Sequence, residues 1–269
     1  MGIRCYRDYM IAAVLRRKVS VVAYTGSPLH FRRVELKYRV PDRTIPSFME
    51  AIAPYVSLDP YLTGGDSYPV TSLYFDSLDY KSLYEKDAGL LSRRKVRLRT
   101  YAPTFIKGEP CFLEIKRRHD FVVSKDRLVL KDGIRETCSL SQVLKSLFQK
   151  NDDGVALEAQ ILASWYGLQP MAFVRYRRIP FVGRHDRRFR VTVDTHLEGA
   201  WRPPYILGFE RFRECLPGES IIELKFNHAV PDWFHATLQD FDLVRVSNSK
   251  YAATMQSLRP SLHFESCNR

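Results

Sequence analysis

The chain has 269 residues, 45% of them hydrophobic and 13% aromatic, which excludes a disordered polymer and allows one large domain or two small ones. Forty-two basic side chains against thirty acidic ones give a net charge of +12. That balance favours polyanionic partners (nucleic acid, anionic membrane or phosphorylated substrates) without choosing among them. The cysteines Cys5, Cys111, Cys138, Cys215 and Cys267 are scattered and form no CxxC, so reduced thiols in a cytoplasmic compartment are the simplest reading.

The first apolar run, MIAAVLRRKVSVVAY (10–24), is cut by Arg16, Arg17 and Lys18. Its halves are too short for a bilayer, which takes about 20 apolar residues. Its basic residues do not precede the apolar run as a signal peptide requires. Residues 1–28 are therefore expected to be an appendage, either an overlong start or a basic segment touching anionic lipid. VELKYRV (34–40) predicts a strand, and PDRTIPSFMEAIAPYV predicts a helix at about 42–56. VTSLYFDS (70–77) predicts a strand and LDYKSLYEKD a helical turn. KVRLRTYA, CFLEIKRRH and SKDRLVLK follow as three strands in series. SLSQVLKSLF (139–148) and ALEAQILASWYG (156–167) carry helical periodicity. AFVRYRRIPFVG and RRFRVTVDTHL read as a hairpin turning near Gly183–Asp186, and SIIELKFN as a last strand. PDWFHATLQDF and a helix at about 248–258 close the pattern. The expected fold is a mainly β, α+β domain, antiparallel, with helices packed outside, over residues 29–260, with a tail at 261–269.

A strand sends alternate side chains to opposite faces. Glu35, Lys37 and Arg39 share a face with Arg33, and Lys95, Arg97 and Arg99 share another. Glu114, Lys116 and Arg118 align, as do Lys125 with Arg127, Arg188 with Arg190, Thr192 and Asp194, and Glu223 with Lys225. The intervening residues are mostly apolar. For any one strand, a solvated face with cross-strand ion pairs accounts for this. Six strands weaken that account, because like charges so close are destabilising without a counter-anion. A concave sheet or barrel with a charged lumen explains them, its glutamates serving as ligands for a hard divalent cation on phosphate oxygens. No Walker loop, G-x-S-x-G elbow or H-E-x-x-H is present. A nucleic-acid binder would use the charge but leave the glutamates unexplained.

The ordered series RxELKY, SLYFDS, KVRLRTY, FLEIKRR, KxR, RYRR with FRVTVDT, ELKF and a late SKY resembles the VTC domain. This is the vacuolar transporter chaperone type of polyphosphate polymerase, a branch of the CYTH or triphosphate tunnel metalloenzyme superfamily. The resemblance runs from about residue 32 to 256. It implies an antiparallel β-barrel tunnel that binds a nucleoside triphosphate and a divalent metal, manganese or magnesium. It also implies transfer of the γ-phosphate of ATP to a polyphosphate chain. Carried over by position, Lys250, Arg97 and Arg99 are the expected catalytic set. Arg33, Lys37, Lys116, Lys125, Arg127, Arg175 and Arg190 would bind the phosphates. Glu223 would hold the metal, with Glu35 and Glu114 as further candidates. The superfamily opens on ExExK, whereas Arg33 stands here at the first acidic position, which favours a one-metal polymerase or binder over a two-metal hydrolase. Three readings stay open: the polymerase, a triphosphate or nucleoside triphosphate hydrolase, and a non-catalytic polyphosphate-binding subunit. ATP and polyphosphate are the implied partners; a cytoplasmic site, with or without a membrane-protein partner, completes the expectation.

Overall fold

The computed structural model describes residues 34–62, 64–87, 92–119, 122–134, 153–227, 229–246 and 249–259. Arg33, the expected helix at 139–148, the appendage and the tail lie outside these residues.

The strands are β1 (Val34–Pro41), β2 (Val56–Leu58), β3 (Tyr68–Asp76), β4 (Ser92–Thr100), β5 (Cys111–His119), β6 (Val122–Leu130), β7 (Gln169–Gly183), β8 (Arg190–Trp201), β9 (Arg213–Glu214) and β10 (Glu219–Phe226). They form one sheet in the order β1-β10-β8-β7-β3-β4-β5-β6, with β2 added on β7 and β9 on β8. The registers of β3–β4, β4–β5, β5–β6, β8–β10, β2–β7 and β8–β9 are all antiparallel. No pairing closes β6 onto β1 among the described residues. The helices are α1 (Ile45–Ile52), α2 (Lys81–Asp87), α3 (Gly154–Tyr166), α4 (Asp232–Asp240) and α5 (Lys250–Leu258). No described helix is long and apolar enough to cross a membrane.

Local chemistry sets the helix ends. Asp153 accepts a hydrogen bond from the Val155 amide at 2.8 Å to start α3, and Gly167 ends it with φ +59°. These are the cap residues that satisfy orphan helix groups at either end. Ser249 does the same for α5 through the Ala252 amide at 3.1 Å. The helix expected over 42–56 is shorter: a 3-10 turn at Asp42–Thr44, then α1, which stops before Pro54. Proline lacks the N–H that would continue the ladder, and the chain instead enters β2. The strand β9, two residues long, is too brief to show a period in sequence.

The chain divides into two compact units. The first takes the residues up to Tyr68, Arg178–Asp194 and Ser220–Val246; the second takes Pro69–Arg177, Thr195–Glu219 and the residues from Ser247. The first unit packs Phe48 and Ile52 of α1 and Phe234 of α4 against Val191, Val193, Ile222 and Leu224 of β8 and β10. In the second unit, Leu73, Phe75, Val96, Leu98, Leu113 and Ile115 of β3–β5 bury against Ala159 and Leu162 of α3. In both units the apolar parity of the strands meets helices, and this assigns the charged parity to the opposite face.

Candidate functional site

In the second unit the register makes ordered rows across β3–β6. Tyr74 lies opposite Arg97, Arg97 opposite Glu114, and Glu114 opposite Arg127. The adjacent row sets Lys95 opposite Lys116 and Lys116 opposite Lys125. With Arg93, Arg99 and Arg118, eight cations of β4–β6 share this parity with one carboxylate, Glu114. That surplus gives the face a net positive charge.

Glu114 is fully buried. Its Oε2 accepts from Arg97 Nε at 2.8 Å and Nη2 at 2.7 Å, with Arg99 Nη1 at 3.8 Å. Its Oε1 accepts from Lys125 Nζ at 3.1 Å and from Arg127 Nε at 2.6 Å. Burial alone would raise its pKa, but the charges of Arg97, Lys125, Arg99 and Arg127 hold it well below the usual carboxylate range. Two phenols extend the network: Arg97 Nη1 donates to Tyr74 Oη at 2.7 Å, and Arg127 Nη2 donates to Tyr101 Oη at 2.9 Å. Arg99 Nε donates to Ser72 Oγ at 2.9 Å. Tyr74 stacks on Tyr251, whose hydroxyl donates to buried Asp76 at 2.8 Å. Lys250, one residue before, sets its ammonium 5.0 Å from the Tyr176 ring centroid, a cation–π contact.

Burial works against ionisation of Tyr74, yet Arg97, Arg99 and Lys95 lower its pKa from 10.0 to about 8. The folded state thus favours the phenolate. The stability this contributes is fully present above pH 10 and is lost as pH falls through about 8. Phenolate absorbance should show a step near pH 8 that Tyr74→Phe removes. A wild-type titration with no tyrosine ionising below pH 10 would contradict this environment for Tyr74.

The first unit carries a different face. Arg178 Nε and Nη2 donate to the Asp194 carboxylate at 2.6 and 2.7 Å, and Arg178 Nη2 lies 3.8 Å from Glu223. Lys225 Nζ is 2.5 Å from Glu223 Oε1, Arg190 Nη1 donates to Asp59 at 3.2 Å, and Lys37 lies 3.5 Å from Glu35. Glu35, Asp59, Asp194 and Glu223 thus each face a cation here, whereas on β4–β6 eight cations share the face with one carboxylate. Thr192 stands directly across from Glu223 in the β8–β10 register. Its buried hydroxyl has no hydrogen-bond partner among the described residues. A buried hydroxyl oxygen left over beside a carboxylate suits a hard divalent cation, which takes oxygen ligands. Among the described residues no group of three or more His, Cys, Asp or Glu side chains is arranged to hold a metal.

A family model described as the VTC domain matches residues 32–259. The chain belongs to the VTC domain family. No curated protein sequence matches it. Among solved structures, a Bacillus halodurans protein named as an adenylate cyclase is similar with TM-score 0.45 and 15% identity, over 81% of this chain and 93% of its own. A Hippeastrum protein, named as an adenylyl cyclase with dominant triphosphatase activity, has TM-score 0.43 and 16% identity over 83% and 95%. The Schizosaccharomyces pombe Mediator head module has TM-score 0.44 and 10% identity over 80% and 99%. At these scores the likenesses carry no functional weight.

In this VTC domain the structure gathers Arg97, Arg99, Lys116, Lys125 and Arg127 on one face, around Glu114. Lys37, Glu35, Arg190 and Glu223 belong to the first unit. Arg175 does not join the Arg97 face. Its guanidinium lies 3.7 Å over the Phe212 ring, and its Nε donates to Glu198 at 2.7 Å. Phe212 packs on the same apolar cluster as Phe173. The arginine that reaches Glu223 is Arg178, three residues on, which the VTC pattern alone did not select. A cleft of about 140 Å³ lined by Lys81, Glu85, Arg94 and Tyr166 includes Val96, so it belongs to the apolar parity of β4, away from Arg97.

Proposed function

We propose that this VTC domain protein is an ATP-dependent polyphosphate polymerase that transfers the γ-phosphate of ATP to the end of a polyphosphate chain. The observation that carries the reading is the eight-to-one ratio of cations to carboxylates on the charged face of β4–β6. Phosphoryl transfer asks little covalent work of a protein: positioning and charge neutralisation supply most of the catalysis. The terminal oxygen of the chain attacks the γ-phosphorus, the bond to the β-phosphate oxygen breaks, and ADP leaves. No protein nucleophile is needed. In this reading Arg97, Arg99 and Lys250 serve the transfer step, and Lys37, Lys116, Lys125, Arg127 and Arg190 bind phosphate oxygens, with Arg33 assigned to the same role by the family pattern. Glu223 and Thr192 would hold a manganese or magnesium ion, whose positive charge would neutralise phosphate oxygens. Glu35 is a further candidate for that role. Glu114 is read as the counter-charge that holds the guanidinium groups in place, since both its oxygens already accept from cations. Residues 29–260 would form the working domain of a cytoplasmic protein, with 1–28 and 261–269 peripheral and a membrane-protein partner open.

A second reading, a non-catalytic polyphosphate-binding subunit, has one observation in its favour. Lys225 and Arg178 already neutralise Glu223, as a face that had lost its metal would require. Incubation with ATP and manganese, followed by a gel stained for polyphosphate, separates the two. The polymerase lengthens chains, and the binding subunit leaves ATP unchanged.

A further inference from the structure

The cleft of about 140 Å³ beside Lys81 and Arg94 lies within the second unit, where α2 and α3 meet β4. Val96, Leu162 and Leu168 give it an apolar lining, and Tyr166 adds a ring. Arg94 is out of character for its position. It stands on the parity of β4 that buries Val96 and Leu98, and it meets Arg117 of β5 directly across the ladder. Like charges so opposed are destabilising, and the nearby acids go to Arg117. The Arg117 guanidinium donates to both oxygens of Glu158 and to Asp126. Arg94 has only a second claim on Glu158, Nε to Oε1 at 3.6 Å, which is beyond hydrogen-bond distance. Its side chain is 46% exposed, and its guanidinium makes no hydrogen bond to any described residue. Lys81 is the second cation of the cleft, 3.4 Å from Glu85 and 4.9 Å from the Tyr166 ring centroid. Two cations thus adjoin an apolar lining, one of them with its donor fork open.

We propose that this cleft is a binding site for a small carboxylate whose apolar body is about one ring in size, with Arg94 holding the carboxylate and Lys81 beside it. Water solvates the cations but gains nothing from Val96, Leu162 and Leu168, and a neutral hydrocarbon fills the lining but leaves the guanidinium unpaired. A carboxylate with an apolar body answers both. The guanidinium fork matches a carboxylate through two parallel hydrogen bonds, and a cavity of roughly 150 Å³ takes one benzene ring. Inorganic phosphate has no apolar body and is the wrong ligand here. The site is separate from the charged face of β4–β6 and does not rest on the polyphosphate reading.

The test titrates the full chain with sodium benzoate and with 3-methylbutanoate, read by calorimetry and by saturation transfer from protein to ligand protons. Benzoate should bind with a dissociation constant on the order of 1 mM or below. Benzamide keeps the ring and loses the charge, and acetate keeps the charge and loses the ring; each should bind about tenfold more weakly or worse. Arg94→Met should weaken benzoate about tenfold or more, the scale of a lost hydrogen bond to a charged group. It should also remove the preference for benzoate over benzamide, which a general loosening of the fold would not do. Leu168→Trp fills the cleft without changing any charge and should abolish binding. Arg188→Met, which removes a 62% exposed arginine of the first unit, should leave the affinity within about twofold. No saturable binding of either carboxylate to the wild type, or benzoate binding that survives Arg94→Met or Leu168→Trp, overturns the assignment and leaves the polyphosphate reading untouched.

Discussion

Glu223→Gln should reduce conversion of ATP to polyphosphate by about two to three orders of magnitude, the loss expected for one preorganised electrostatic contact. The substitution keeps the volume of a side chain that is 4% exposed but removes the charge that Lys225 and Arg178 face and that a divalent ion would need. Tripolyphosphate affinity, which the proposed function assigns chiefly to the β4–β6 cations, should survive. Binding and turnover must therefore be measured on the same preparation. Loss of both together would mean that the variant had disturbed the fold. Loss of neither would remove Glu223 from the chemistry and leave the binding-subunit reading.

Glu114→Gln should destabilise the protein by about 3–5 kcal/mol, the cost of breaking a buried ion network by deleting one partner. The carboxylate lies among Arg97, Arg99, Lys125 and Arg127, and the three guanidinium groups keep their charge when it is removed. Equilibrium denaturant unfolding at low salt reads the loss directly. Added tripolyphosphate should restore part of it, because an anion bound to the native state substitutes for the missing charge. A change below about 1 kcal/mol would show that solvent already screens the cluster, as it does for exposed pairs.

Strand parity made much of this legible in advance. KVRLRTY and FLEIKRR alternate so regularly that Arg97, Arg99 and Lys116 could be placed on a charged face without coordinates, and the structure keeps them there. Register was not legible. The meeting of Lys95 with Lys116 and Lys125 depends on how the hairpins offset β4, β5 and β6, which local pattern does not encode. RYRR was ambiguous for a different reason, since it supplies arginines of both parities. The packing of Phe212 against the Phe173 cluster settles that Arg175 goes to the apolar side, and Arg178 reaches Asp194 and Glu223. The role of Glu114 was equally hidden, because a carboxylate beside a lysine reads alike whether it awaits a metal or anchors guanidinium groups. Thr192 was legible only as a member of the charged parity of its strand; its buried hydroxyl, without a hydrogen-bond partner among the described residues and across from Glu223, comes from the structure.

The most direct measurement follows the γ-phosphate itself. The protein is incubated with γ-labelled ATP, manganese and a short polyphosphate primer, and the label is then separated into ATP, free phosphate and chain. The polymerase reading predicts label in chains longer than the primer, ADP formed in equal amount, and little free phosphate. Label appearing only as free phosphate would contradict it in favour of hydrolysis. Label remaining in ATP while the primer stays bound would contradict it in favour of a binding subunit.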